Sequence, residues 1–174
     1  NMNKINVLIT DKTGTITENK MSLAKLFVLA SKKISDPEGT LSKDEIELIA
    51  LSMWASEPIP FDPMEIALHG AYSRLESTDE RPAYKLVYEY PLSGTPPMMT
   101  HVFENITGHR IIAAKGAPEA LIRVSDLTTA EIQLIEDTIG LLAKEGYRVL
   151  GVGETMLDGN NFPVQANCEA TALD

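Results

Sequence analysis

Three consecutive runs of β-branched, aromatic and other apolar residues occupy the middle of the chain and constrain its fold most strongly. They span residues 84–90, 98–104 and 110–115. A segment rich in proline, glycine and serine separates the first two runs, and an Asn-Ile-Thr-Gly turn at 105–108 separates the last two. Short apolar runs joined by such turn residues are typical of an antiparallel meander. The sequence therefore predicts an antiparallel sheet.

Helices are predicted on either side of these runs. The tetrapeptides that begin at Ser42 and Thr128 have a glutamate three residues on, as in a capping box, and apolar residues at helical spacing follow both. A third helix is predicted to start at Asp62, with Pro63 in its first turn. We therefore expect an α+β domain whose antiparallel sheet is flanked by helices.

The run at 5–10 has a different character. It is short, mostly apolar and β-branched, and it ends at Asp11, with Gly14 breaking the pattern. Such a run is typical of a buried strand in a parallel α/β sheet. We expect it to belong to a separate sheet that precedes the main domain.

Composition excludes several classes of protein. The chain has 174 residues and a net charge of −10, which disfavours general binding to nucleic acid. No apolar run approaches the roughly 20 residues of a membrane-spanning helix. Its single cysteine excludes an internal disulfide framework. The three histidines, His69, His101 and His109, lack metal-ligand spacing and are interpreted as surface or strand residues.

The most informative segment for function is Asp11-Lys12-Thr13-Gly14-Thr15-Ile16-Thr17. A carboxylate that follows a buried strand and opens a glycine-containing turn lies where α/β folds bind ligands. Turn amides, threonine hydroxyls and Lys12 could hold phosphate oxygens, and Asp11 could then attack a phosphoryl group. Alternatively, the aspartate and threonines satisfy the turn by local hydrogen bonds.

These seven residues and their flanks resemble the phosphorylation signature of the P-type ATPases, the cation pumps that form an aspartyl-phosphate. The flanks look most like those of bacterial type II, calcium-pump-like members. The resemblance implies that Asp11 is the phosphorylated nucleophile, that Lys12 and Thr13 assist it, and that Mg²⁺ contacts Asp11 and the Thr13 backbone carbonyl. The related haloacid-dehalogenase-type phosphatases generally carry a second aspartate at the position of Thr13. Because threonine does not titrate near neutral pH, an aspartyl-phosphate should persist here, as a pump requires.

Three further segments match the nucleotide-binding domain of this family. The resemblance implies that Glu65, in 61–68, contacts the adenine amino group, that Lys115 and Gly116, in 115–119, line the nucleotide pocket, and that Arg148, in 146–150, reaches the phosphates. Without the resemblance, Glu65 would be a helix-capping residue, Lys115 a solvated turn residue and Arg148 a surface residue on a strand.

One segment departs from the family pattern. Tyr90 stands where the pumps present an aromatic residue for adenine stacking, but the basic residues that usually follow are absent. Tyr90 is therefore the candidate for stacking, or else a strand-edge aromatic that packs against the sheet.

The resemblance divides the chain into a phosphorylation-domain fragment at 1–20, a nucleotide-binding domain at 21–160 and a returning tail at 161–174. It implies ATP and Mg²⁺ as cofactors, the other pump domains as partners, and a transported cation bound elsewhere. The parent would lie in the cell membrane with this domain on the cytoplasmic side. The second acidic motif, Gly-Asp-Gly-x-Asn-Asp, is absent from the printed sequence, so we expect the chain alone to be catalytically inactive. The alternatives are a soluble dehalogenase-type phosphohydrolase with a large cap, and a nucleotide-binding module without catalysis.

Overall fold

The computed structural model describes Met2, residues 4–10 and residues 20–156. Within these residues, seven strands form one sheet in the order β3-β2-β1-β7-β6-β5-β4, and every neighbouring pair is antiparallel. The strands are β1 (Lys4–Thr10), β2 (Leu23–Val28), β3 (Lys33–Ser35), β4 (Tyr84–Ser93), β5 (Met98–Asn105), β6 (Arg110–Gly116) and β7 (Arg148–Thr155). The predicted antiparallel sheet is confirmed.

Three helices begin where the sequence predicted: α1 (Lys43–Trp54), α2 (Pro63–Ser73) and α4 (Thr129–Lys144). A short helix, α3 (Pro118–Arg123), and a 3₁₀ turn at Arg81–Ala83 complete the helical elements of the described residues. Ser42 and Thr128 each form a capping box, with Glu45 and Glu131 respectively. No helix in the described part of the chain combines the length and the apolar character that a membrane span requires.

Helices cover both faces of the sheet. On one face, α1 and α2 pack on the largest apolar cluster, in which Trp54 makes edge-on ring contacts with Tyr84 at 5.3 Å and Phe103 at 4.9 Å. On the other face, Ile135 and Leu142 of α4 pack against Phe27, and Leu121 of α3 packs in a smaller cluster. Because strand side chains alternate between faces, the face of each site residue follows from its register.

The first strand differs from expectation in its pairing. β1 is a strand, as predicted, but it runs antiparallel between β2 and β7 instead of lying in a separate parallel sheet. Both of its neighbours satisfy its backbone groups, and Ile5 is buried in the cluster of Ala114 and Leu121. A central antiparallel position thus meets the same need for burial and pairing that an apolar strand has in a parallel sheet. That residues 1–20 belong to a phosphorylation domain in the parent stays a prediction, and Asp11, Lys12, Thr13 and the tail at 161–174 lie outside the described residues.

Candidate functional site

A buried ion pair joins two of the segments that the sequence singled out. Lys115, near the end of β6, donates from Nζ to Glu65 Oε1 and, at 3.2 Å, to Ser56 Oγ. The side chains of Glu65 and Lys115 are each 8% exposed. The structure therefore brings together two predicted nucleotide-binding residues that lie far apart in the sequence. We call them the Glu65–Lys115 pair.

Glu65 points into the domain because another residue caps its helix. Asp62 Oδ1 accepts from the backbone amides of Met64, at 2.8 Å, and Glu65, at 3.4 Å. The carboxylate of Glu65 is thus not needed at the helix start, and its Oε1 also accepts from the amide of Glu57 at 3.3 Å. Its Oε2 is buried and has no hydrogen-bond partner among the described residues.

The turn that follows α1 connects this pair to two histidines. The Ser56 carbonyl accepts from His101 Nδ1 at 3.0 Å, and the Glu57 carbonyl accepts from His69 Nε2 at 3.0 Å. A carbonyl oxygen can only accept, so these two ring nitrogens carry protons. Four side chains from α2, β5 and β6 therefore converge on two residues of one turn.

His69 is held in its neutral form. Burial lowers its pKa, and the positive charge of Arg81 lowers it further, against the opposing effect of the hydrogen bond to Glu57. Arg81 donates to His69 Nδ1 at 3.1 Å and is itself fixed by a two-point contact with Asp79. Because Nδ1 accepts and Nε2 donates, one neutral tautomer satisfies both contacts.

Position 116 requires glycine because the backbone at Pro97 and Met98 approaches it closely. A Cβ at this position would lie 2.5 Å from the Pro97 carbonyl oxygen and 2.7 Å from Met98 Cα. Both are backbone atoms next to or within β5, which pairs with β6 at Met98 and Gly116. The glycine next to Lys115 thus lets the two strands approach at the end of β6 where the ion pair lies.

The register of β4 places Tyr90 on the other face of the sheet. Tyr90 pairs with Thr100, which pairs with Ala114, and Ala114 packs against Leu121 of α3. A bulge between Leu86 and Tyr88 produces this orientation, because one extra residue reverses the side on which the following side chains lie. The structure therefore does not bring Tyr90 to the Glu65–Lys115 pair.

Arg148 lies on the same face as the ion pair but farther along the sheet. Arg148, Leu150 and Val152 occupy every second position of β7 and therefore share one face of the sheet. Leu150 and Val152 pack under α1 and α2, and Val152 pairs with Lys115. Arg148 is four positions from Val152 along β7, a distance of roughly 14 Å. Arg148 itself pairs with Thr10, the residue before Asp11.

Ser56 and His101 are site residues that sequence reasoning missed. Ser56 follows a helix and belongs to no motif, and His101 was interpreted as an ordinary strand residue. His101 is fully buried on β5, and its contact to Ser56 spans 45 positions of the chain. The alternation of β5 could have placed His101 inward, but no local signal indicates its partner.

Comparison with known proteins agrees with this architecture. A family profile described as "P-type ATPase, cytoplasmic domain N" matches residues 59–172. Among curated relatives, Plasma membrane ATPase 2 of Saccharomyces cerevisiae is 27% identical over 161 residues, covering 90% of this chain and 16% of the relative. Calcium-transporting ATPase 1 of the same yeast is 25% identical over 201 residues, covering 94% and 21%. A probable cation-transporting P-type ATPase of Mycoplasma genitalium is 29% identical over 156 residues, covering 90% and 17%.

The chain spans about a sixth to a fifth of the length of these relatives. The match to the family profile covers well over half of the chain itself. The soluble dehalogenase-type alternative is not favoured, since the relatives are P-type ATPases. With its helix-flanked antiparallel sheet and its buried Glu65–Lys115 pair, the chain belongs to the P-type ATPase family and contains the cytoplasmic N domain of that family.

Proposed function

We propose that this N domain binds ATP at the Glu65–Lys115 pair. The observation that carries the proposal is the convergence of the two motif segments in one buried pair, with Glu65 Oε2 left without a partner. A buried acceptor without a hydrogen bond costs about 1–3 kcal/mol. The exocyclic amino group of adenine is a donor that would satisfy Oε2, while Lys115 holds Oε1 in place.

The rest of the bound nucleotide would extend from the Glu65–Lys115 pair toward Arg148. Arg148 lies on the same face, toward the end of the sheet where β1 leads to Asp11. A guanidinium there suits phosphate oxygens, so the triphosphate would run from the pair toward that end. We leave Tyr90 out of the pocket, because its register gives no support for contact with a ligand on this face.

In the complete protein, we propose that Asp11 receives the γ-phosphoryl group. A bond from an Asp11 carboxylate oxygen to the γ-phosphorus would form as the bond to the ADP oxygen breaks. Lys12 would offset phosphate charge, and the Asp11 carboxylate and Thr13 carbonyl supply the oxygen ligands that Mg²⁺ prefers. Hydrolysis of the aspartyl-phosphate would drive cation movement through membrane segments, with this domain on the cytoplasmic side.

Nucleotide titration tests the binding proposal. We expect amide resonances of Ser56, Glu65 and Lys115 to shift when the 174-residue chain is titrated with MgATP or MgADP. Lys115→Met should weaken the response, whereas Lys43→Met should not, since Lys43 is exposed and forms a surface ion pair with Glu47 on α1. No shift at millimolar nucleotide, or equal weakening in both variants, would contradict the proposal.

A second experiment tests the proposed inactivity of the chain by itself. After incubation with γ-labelled ATP and an acid quench, we expect no acid-stable acyl-phosphate label, because the printed sequence lacks the second acidic motif that helps to hold Mg²⁺. A label that is present in this chain and lost in Asp11→Asn would show that the chain needs no further domain for phosphoryl transfer.

A further inference from the structure

His101 has a ring nitrogen that makes no hydrogen bond to the described residues. The residue is 0% exposed, and its Nδ1 donates to the Ser56 carbonyl at 3.0 Å. In the neutral ring, Nε2 is then an unprotonated acceptor. It is buried and has no hydrogen-bond partner in the described part of the chain.

Two carboxylates, those of Glu57 and Glu89, lie close to the His101 side chain. Glu89 on β4 is directly opposite His101 in the β4–β5 register, and Glu57 follows Ser56 in the turn after α1. One ligand atom from each of Glu57, Glu89 and His101 lies within 4.8 Å of the other two. Glu89 is exposed and Glu57 half-buried, so the cluster opens toward solvent on one side.

Ligand atoms that lie this close together can bind one cation between them. With a neutral imidazole the two carboxylates bring a charge of about −2, which a divalent ion would balance. We propose that Glu57, Glu89 and His101 bind a divalent transition-metal ion, with Zn²⁺ as the probe. The proposal rests on the protein groups alone and does not depend on nucleotide binding.

The spacing of the three ligand residues and the hydrogen bond that orients His101 both fit such an ion. Tetrahedral zinc with bonds of about 2.0–2.2 Å places its ligand atoms about 3.3–3.6 Å apart, so modest rotations of two glutamate side chains would complete the site. Metal-ligating histidines donate their other ring N–H to a carbonyl or carboxylate, as His101 does to Ser56. The fourth position would be left to water or a ligand.

The nitrogen donor distinguishes this site from a magnesium site. Mg²⁺ prefers oxygen ligands in octahedral geometry, whereas imidazole favours zinc and its neighbours in the first transition row. The Ser56–Glu57 turn also contacts the Glu65–Lys115 pair, so the two sites are neighbours with separate ligands. Metal titration without nucleotide tests the proposal independently of the proposed function.

The experiment is calorimetric titration of the chelator-stripped 174-residue chain with ZnCl₂, with Co²⁺ absorption as a second readout. We expect one Zn²⁺ per chain, and at least about 10-fold weaker binding in Glu57→Gln, Glu89→Gln and His101→Gln. His109→Gln is the matched control, because His109 lies on a turn outside the cluster and contacts Tyr84. It should retain the affinity of the unaltered chain.

The glutamate variants keep the test decisive if His101→Gln does not fold. Imidazole nitrogen NMR adds a direct readout, since Zn²⁺ should shift the Nε2 resonance of His101 and leave that of His109 in place. The proposal is wrong if no Zn²⁺ binds at millimolar concentration, if binding survives Glu57→Gln and Glu89→Gln together, or if His101 Nε2 carries a proton that excess Zn²⁺ does not displace.

Discussion

Replacing Lys115 by methionine should destabilise the domain strongly. The change removes Nζ, keeps most of the aliphatic length, and leaves the carboxylate of Glu65 buried with the Glu57 amide as its remaining donor. Removing one partner of a buried pair costs about 3–5 kcal/mol. For a domain of this size, that loss lowers Tm by roughly 6–20 °C.

A double variant separates the charge effect from lost packing. Glu65→Gln with Lys115→Met leaves no buried charge, so it should be more stable than the sum of the single losses predicts. The coupling free energy should fall within about 0.5–3 kcal/mol, as for residues in direct contact. Lys43→Met is the control, since the exposed Lys43–Glu47 pair, at 3.9 Å, should contribute at most about 0.5 kcal/mol.

Urea unfolding at pH 7 provides the measurement. Trp54, the single tryptophan, is buried against Tyr84 and Phe103, so its fluorescence reports on the core. If Lys115→Met costs no more than Lys43→Met, or if the single losses add without coupling, then the buried pair does not stabilise the domain as its geometry indicates.

Further predictions concern packing, pH and capping. Gly116→Ala should lower the free energy of unfolding by about 1–3 kcal/mol, because the added Cβ meets backbone atoms. Gly140→Ala in α4 should raise it by about 0.5–1 kcal/mol, because nothing lies within 4 Å of the added Cβ. Urea unfolding midpoints compare the two variants. The pKa of His69 is lowered in the fold, so the unfolded chain takes up this proton first as the pH falls. The free energy of unfolding should therefore decrease below about pH 6.5. His69→Gln should flatten that part of a stability profile measured between about pH 8 and 5. Thr128→Ala should cost about 1 kcal/mol by removing the cap that accepts from the Glu131 amide, and a thermal melt that shows no loss would contradict this.

Local signals allowed much of the fold to be predicted. The capping boxes at Ser42 and Thr128 lie within four residues of sequence, and the turns between β4, β5 and β6 consist of residues that favour turns. The partners of β1 could not be predicted in this way, since the same apolar run suits the centre of a parallel or an antiparallel sheet.

The site was less predictable because its contacts are non-local. A family resemblance singled out Glu65 and Lys115 separately as nucleotide-binding residues, and no spacing in the sequence indicates that the two residues touch. The bulge after Leu86 reverses the side on which Tyr90 lies, and the sequence shows no glycine or proline there to indicate it. His101 acquires its environment from a turn 45 positions earlier in the chain.

The position of β1 has a consequence for the synthesis of this chain. Lys4 pairs with Glu154, so the first of the described strands needs as a neighbour the last of them, and β1 joins the β2–β3 hairpin to the other four strands of the described sheet. At roughly 5–20 residues per second, a ribosome needs about 7–30 s between these two strands. Throughout that interval one edge of β1 is open to pairing with other chains, so completion of the sheet must follow translation of almost the whole domain.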